Sequence, residues 1–410
     1  MRSYAIFTLI TAALALPSKR DATPADLFPH PLIPNVAYVL ENNPAGSNIL
    51  SFHIGQDGTL SKPTRTSTGG KGALSYCQGM GCGNQGDPFP VDALGSQGAV
   101  HISGNTLFAV NAGSNTLSMF AINPLNPYKP KLLGTPVDTL GEFPISVDYS
   151  AKLRQACVLN GGTKAGVACF SVDLFHGLHA KGPLRALDKS YANETTPASG
   201  VIGTAAQVLF NPDSTALFVT VKGNGFFPPK KDGTLAAWPI KKGEVSTNTP
   251  VISQIDGVYM DFGFQFLTQN SIMLADAASG VSLLDVGSDL KATERVRTII
   301  PGQLITCWTQ YERSLNTLYA MDGARNLVYL LDPQTFAHFD NITVTTPPYS
   351  NASLPYAGVY DSAIQNGKMY SVAYTNGLLV FDLAQKKQVQ YLDLTNYVER
   401  PHLQGMAVWP

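Results

Sequence analysis

Four side chains stand in contexts suited to proton transfer beside a developing negative charge. They are Glu142 in "LGEFP", Arg400 and His402 in "ERPHLQG", and Lys222 in "VKGNG". A reaction that moves a proton and builds charge on oxygen needs an acid or base and a fixed cation. Glu142 or His402 fits the first role; Arg400 and Lys222 fit the second. A further group ends short apolar runs just before turns: Glu41, Asn111, Asn160, Asp276, Asp322 and Tyr374. Residues of these types also cap strand ends and satisfy turn amides. They become a ligand-binding set only in a fold that gathers their tips. No G-x-S-x-G elbow, glycine-rich phosphate loop or EF-hand pattern is present. His176 and His179 in "LFHGLHA" lack a third ligand, and the cysteines lack paired C-x-x-C spacing. No metal or cofactor is therefore expected. His101 in "AVHIS" reads as a hydrogen-bonded core residue.

The elements that must position these side chains recur along the chain. "GNTLFAVNAGSNTLSMFAINP" (104–124) holds two apolar runs around a polar turn, and neither run alternates as a half-buried hairpin should. The same grammar returns in "RQACVLNGGTKAGVACFSV", "SIMLADAASGVSLLDV", "NTLYAMDGARNLVYLLDP" and "GKMYSVAYTNGLLVFDL". The period is about 45–65 residues, in the range of propellers and solenoids. A short strand precedes each hairpin and a more polar one follows it, which makes four strands per unit, the blade of a β-propeller. Blades stacked about an axis cover their middle strands on both faces. The expected fold is all-β, a seven-bladed β-propeller. Its first unit lacks an innermost strand, and "LQGMAVWP" is expected to supply it from the C-terminus, closing the ring and removing exposed edges. In that architecture the second-strand ends and the loops leading into each inner strand meet on one face, around an axial funnel.

Of 410 residues only 14% are charged, and the formal net charge is −1. That leaves no electrostatic footprint for nucleic acid, and no segment after the N-terminus is long and apolar enough to span a membrane. Residues 1–20 read as a secretory signal peptide followed by a dibasic site, Lys19-Arg20, of the kind kexin-type proteases cut. Residues 21–32 read as an N-terminal extension and 33–410 as one propeller domain, expected to be a secreted or cell-wall monomer. Sequons at Asn193, Asn341 and Asn351 are candidate glycan sites. Five cysteines suit an oxidising compartment. Cys77 and Cys82 are close enough to staple their loop. Cys157 and Cys169 lie equidistant from a turn and would face each other across an antiparallel pair, leaving Cys307 as a buried thiol.

The segments "NTLFAVNAGSNTLSMFAI", "VLNGGTKAGVACFSVD" and "VLFNPDSTALFVTVKGN" resemble the strand–turn–strand pattern of the seven-bladed lactonase-like propellers, which include carboxymuconate cyclases and phosphogluconolactonases. "DTLGEFPISV" is similar to secreted fungal carboxymuconate-cyclase-like proteins. The resemblance implies first a secreted glycoprotein of the cell-surface antigen or adhesin type, binding a matrix or cell-wall partner or a small ligand at its loop-rich face with weak or no catalysis. The alternative it implies is an extracellular cycloisomerase or lactonase acting on a muconate-like organic acid or a lactone. A phosphorylated substrate ranks behind both because basic residues are sparse. The family's histidine-rich approach to the fourth inner strand reads "GVIGTAAQVLFNP" here, and its acidic turn reads "VKGNG". The resemblance therefore carries over no catalytic set. The loop 223–234, with Phe226 and Phe227 beside Lys230 and Lys231, suits a protein partner. The loop 69–95 is expected to lie over the same face, with glycans crowding the funnel.

Overall fold

The structure, a computed structural model, describes residues 35–78, 84, 86–347 and 358–410. The N-terminal leader and extension, Cys82 and Asn351 lie outside the described residues. Those residues form seven antiparallel sheets, and the fold is all-β, with a single 3-10 turn at Arg400–His402 beside the strands. From blade 2 to blade 7 the inner strands are Val100–Ser103, Pro144–Ser150, Ala205–Phe210, Asp261–Thr268, Thr306–Glu312 and Val359–Gln365. Blade 1 takes its inner strand from the C-terminus. Leu403–Trp409 pairs antiparallel with Val36–Glu41, Trp409 opposite Val36, and a bulge re-registers the pair after Tyr38. The Trp409 indole donates to the side-chain oxygen of Asn105 in blade 2 at 3.2 Å, fixing the closing strand to the next blade.

Second strands are buried throughout. Every residue of Thr106–Asn111, Gln155–Asn160, Ala216–Val221, Ser271–Asp276 and Thr317–Asp322 is covered. This is why the 104–124 hairpin shows no polar face: a neighbouring blade packs on each side. Cys157 lies opposite Cys169 in blade 3 and is disulfide-bonded to it across a Cα separation of 4.1 Å, a narrow, non-hydrogen-bonded type of antiparallel pair. Cys77 and Cys307 are buried thiols. No helix of the described residues is long and apolar enough to cross a membrane.

The loop that leads into blade 2 does more than lie over one face. Its last turn, Gly95–Gly98, drops into the axis and bonds to blades all around it. The Ser96 hydroxyl donates to the Ile145 carbonyl of blade 3, and the Gln97 amide donates to the Ala206 carbonyl of blade 4. The Gln97 side chain pairs with both the amide and the carbonyl of Thr309 in blade 6, at 3.3 Å each. The Trp308 indole donates to the Ser96 carbonyl, and the Gly98 amide donates to Asp361 of blade 7. Two glycines make this possible. Gly98 holds φ +90°, open to glycine and strained for other residues. At Gly263 of blade 5 a Cβ would lie 2.0 Å from the Gln97 side-chain oxygen.

Replacing Gln97 by leucine keeps the bulk but removes this partner from the buried Thr309 amide and carbonyl at the axis. Urea unfolding of Gln97→Leu, followed by circular dichroism, should show a loss of roughly 1–3 kcal/mol for each group that loses its partner. An unchanged midpoint would mean the axis does not depend on this pairing.

Candidate functional site

Because the Gly95–Gly98 turn fills the axis, the funnel on the side of the leading loops ends blind. Above the turn lies a cavity of about 580 Å³, within the usual size range for small-molecule sites. A smaller chamber of about 90 Å³ shares Phe89, Val91, Phe262, Cys307 and Tyr360 with it and reaches down to Asp92 and Gly95. The smaller volume has room for water. The walls are mainly aromatic and aliphatic: Phe226 and Phe227 from the loop of blade 4, Met260 and Phe262 from blade 5, Leu304 and Ile305 from blade 6, and Tyr360 and Tyr374 from blade 7.

Charge is confined to the floor. Lys222, 1% exposed, donates from Nζ to the Gly95 carbonyl at 2.6 Å and the Ala205 carbonyl at 3.1 Å, and it sits 4.5 Å from the centre of the Phe262 ring. Two carbonyls hold two of its three N–H groups while the ring stabilises the cation. Burial nevertheless pulls its pKa down to about 8, with Asp92 opposing that shift. Asp92 stands just before the axial turn at φ +39°, a left-handed conformation that aspartate tolerates better than most residues. It remains partly open to the inner chamber, yet burial, reinforced by Asp361, pushes its carboxyl up to about 7 against the pull of Lys222 and Arg400. Asp361 accepts from the amides of Gly98 and Gly405, and burial raises it to about 6. Arg400 donates from Nε to the Tyr374 carbonyl and from Nη1 to the Leu403 carbonyl, with its guanidinium 4.7 Å from the Tyr360 ring centre. Burial holds the Cys307 thiol well above its ordinary value. It stays protonated and is no nucleophile.

This arrangement brings together only part of the set expected from sequence. Lys222 and Tyr374 line the cavity, and Arg400 stands behind the Tyr360 wall. Glu142 is not among the lining residues; its carboxylate accepts from the Thr196 hydroxyl. His402 is also off the lining. It is 8% exposed, and burial pushes its pKa below the ordinary 6.5. Five of the strand-end residues serve as turn clamps. Glu41 accepts from Asn48 and Arg65, Asn111 donates to Thr116 and Ser118, and Asn160 donates to the Thr139 and Gly166 carbonyls. Asp276 accepts from the Met260 and Ala278 amides and the Ser279 hydroxyl. Asp322 accepts from the amides of Leu304, Ile305, Ala324 and Arg325 and from the Tyr329 hydroxyl.

Phe226 and Phe227, expected at a tip for a protein partner, form part of the cavity wall. His176 pairs with Asp173 at an exposed hairpin, and His101 pairs with Asp148 at 3.1 Å. Asn193 and Asn341 are exposed. Sequence reasoning missed Asp92 and Asp361. The available signals were a lone acid in "FPVDALGSQG" and another near the start of the inner strand "VYDSAI".

No protein-family model matches the chain, and no curated protein matches it. Solved structures do share the fold. A periplasmic gluconolactonase from Pseudomonas aeruginosa aligns with TM-score 0.59 at 14% identity, covering 92% of this chain and 99% of its own. A candidate 6-phosphogluconolactonase from Bacteroides uniformis aligns with TM-score 0.57 at 15% identity, covering 92% and 99%. A functionally unknown protein from Desulfotomaculum acetoxidans aligns with TM-score 0.58 at 12% identity, covering 91% and 98%. At these identities the likeness establishes the seven-bladed propeller alone.

The raised carboxyls make stability depend on pH. Asp92 and Asp361 bind protons more tightly folded than unfolded, as does Glu194, which burial raises to about 7. Their stabilising contribution is full below the unfolded carboxylate pKa and is lost as pH climbs through about 6 to 7. His402 and Lys222, with lowered pKa values, work in the opposite sense, Lys222 only as pH passes about 8. The melting temperature should therefore fall between about pH 5 and about pH 8, and Asp92→Asn should flatten that slope. A midpoint that rises across the range would contradict the buried cluster.

Proposed function

We propose that the chain is a lactone-directed enzyme of the lactonase-like propeller type, with Asp92 as its proton acceptor and donor and Lys222 as its oxyanion-stabilising cation. The observation that carries this reading is a partly open carboxyl, Asp92, in the inner chamber, with the pinned ammonium of Lys222 lining the apolar cavity above it. A general base works best when its pKa lies near the working pH, and a fixed cation in a dry site stabilises developing charge without reorganising. A water in the inner chamber gives a proton to the Asp92 carboxylate, and its oxygen attacks the lactone carbonyl. Lys222 stabilises the oxyanion. The tetrahedral intermediate then expels the ring oxygen, breaking the acyl C–O bond, and Asp92 returns its proton to that oxygen. The product is the open hydroxy acid. The gluconolactonase that shares the fold is named for the same bond, which agrees with this chemistry. We also place the protein outside the cell, on the strength of the apolar leader, Lys19-Arg20 and the Cys157–Cys169 disulfide.

Turnover of a lactone panel by purified protein tests the reading. Activity should rise with pH as Asp92 loses its proton near 7 and fall as Lys222 does near 8, giving a narrow bell whose limbs belong to the pair rather than to either group alone. Asp92→Asn should lower kcat about 10²–10⁴-fold, and Lys222→Arg should remove the alkaline limb from whatever activity it retains. Glu142→Gln and His402→Ala should stay near wild type. Saturable ligand binding without opening of any lactone would leave a binding protein in place of an enzyme.

A further inference from the structure

The proposed function leaves open which lactone enters, and the walls of the outer cavity bear on that directly. Phe226, Phe227, Phe262 and Tyr360 present rings to the space above Lys222. Side chains on that wall able to pair with a substrate hydroxyl are few among the described residues: Gln78, Ser199, Lys222 and Tyr374. The Tyr360 hydroxyl is already committed to the Gly323 carbonyl at 2.8 Å. A polyhydroxylated sugar lactone would bury several hydroxyls against rings, each costing free energy unless it finds a partner. An alkyl or aryl substituent gains by the same burial.

The phenylalanine pair is built to hold its position. The loop that bears it is closed by two backbone hydrogen bonds between Asn224 and Lys231, at 2.7 and 2.9 Å. Inside the loop the Asn224 side chain donates to the Phe227 and Pro229 carbonyls and accepts from the Phe227 amide. Lys230 lies 4.8 Å from the Tyr259 ring centre, and Lys231 donates to the Ser190 carbonyl, tying the loop to its neighbours on both sides. Phe226 is half-buried and Phe227 is more exposed at the cavity rim. A clamped finger of this kind is a preorganised wall, so a ligand does not have to order it on binding.

We infer that the site selects lactones carrying an apolar alkyl or aryl substituent, and that the Phe226–Phe227 finger is the wall that reads the substituent. The inference rests on the proposed lactone chemistry only for the reacting ring, and the test separates the two. Binding of non-hydrolysable γ-alkyl lactams to the full chain is measured by isothermal titration calorimetry. In parallel, kcat/KM is measured for γ-butyrolactone, γ-alkyl and γ-phenyl lactones, and glucono-δ-lactone. Lactam Kd should fall about fourfold per added methylene until the cavity is filled, and kcat/KM should rise with the substituent. Phe226→Ala with Phe227→Ala should flatten the chain-length dependence of Kd. Its melting curve confirms that the fold persists, and the ratio of long-chain to short-chain Kd reads the wall independently of expression or activity. If lactams bind with this dependence but no lactone opens, the ligand class stands and hydrolysis fails. If glucono-δ-lactone is opened as well as the alkyl lactones, or if Kd ignores chain length, the inference is overturned while lactone chemistry survives. A chain-length slope unchanged in the double variant overturns the assignment of the finger.

Discussion

The molecule depends on one short turn of backbone in the wrong place for an ordinary loop. A propeller leaves a channel where its inner strands converge, and the polar edges of those strands must be satisfied or wetted. Here Gly95–Gly98 occupies the channel and does the satisfying, through Ile145, Ala206, Thr309 and Asp361 on four different blades. The same turn gives Lys222 the Gly95 carbonyl that fixes its ammonium, and it places Asp92 at the floor of the funnel. The blind end of the cavity and the placement of Lys222 and Asp92 at its base thus depend on the same turn. Displacing the turn would open a channel and scatter the charges together.

The architecture was readable because its signals are local. A strand, a turn and a second strand within about twenty residues carry a period, and "LQGMAVWP" was left without a partner until the first blade supplied one. The Cys157–Cys169 pair followed from symmetry about its own turn. The site was only half readable, for the opposite reason. Gln97 meets Thr309 across 212 residues, and Gly98 meets Asp361 across 263. No periodicity encodes which residue of a long loop will reach an axis. Lys222 was legible as a cation at a second-strand end, and Arg400 as part of the charged run "ERPHLQG" leading into an inner strand. Asp92 was passed over because an aspartate in a Pro- and Gly-rich loop looks like turn chemistry.

Asp92 and Asp322 show how little residue type says alone. Both end up at the funnel side of the ring. Asp322 accepts from four amides and a tyrosine hydroxyl, so its charge is spent on organising a turn. Asp92 is drawn up toward neutrality because burial and Asp361 outweigh its cationic neighbours and the single Ser96 amide that favours its charged form. Donors surround the Asp322 carboxylate, whereas the Asp92 carboxyl stays partly open to the inner chamber. The distinction applies equally to Glu41 and Asp276, whose oxygens are engaged by neighbouring side chains and amides.

A cavity lined by Lys222 above a chamber lined by Asp92 also has a direction built into it. In the proposed reaction a neutral lactone would enter the apolar funnel at a smaller desolvation cost than an anionic substrate. Ring opening would convert it to an acid whose charge appears beside Lys222 just as Asp92 releases its proton. The regenerated carboxylate of Asp92 would then oppose the product carboxylate in a medium where such repulsion is poorly screened. The site would thus bind its substrate through apolar area and lose its product through like charge. That asymmetry requires Asp92 to titrate near neutrality, because a permanently ionised base would repel the oxyanion as it forms and a permanently protonated one could not accept the proton.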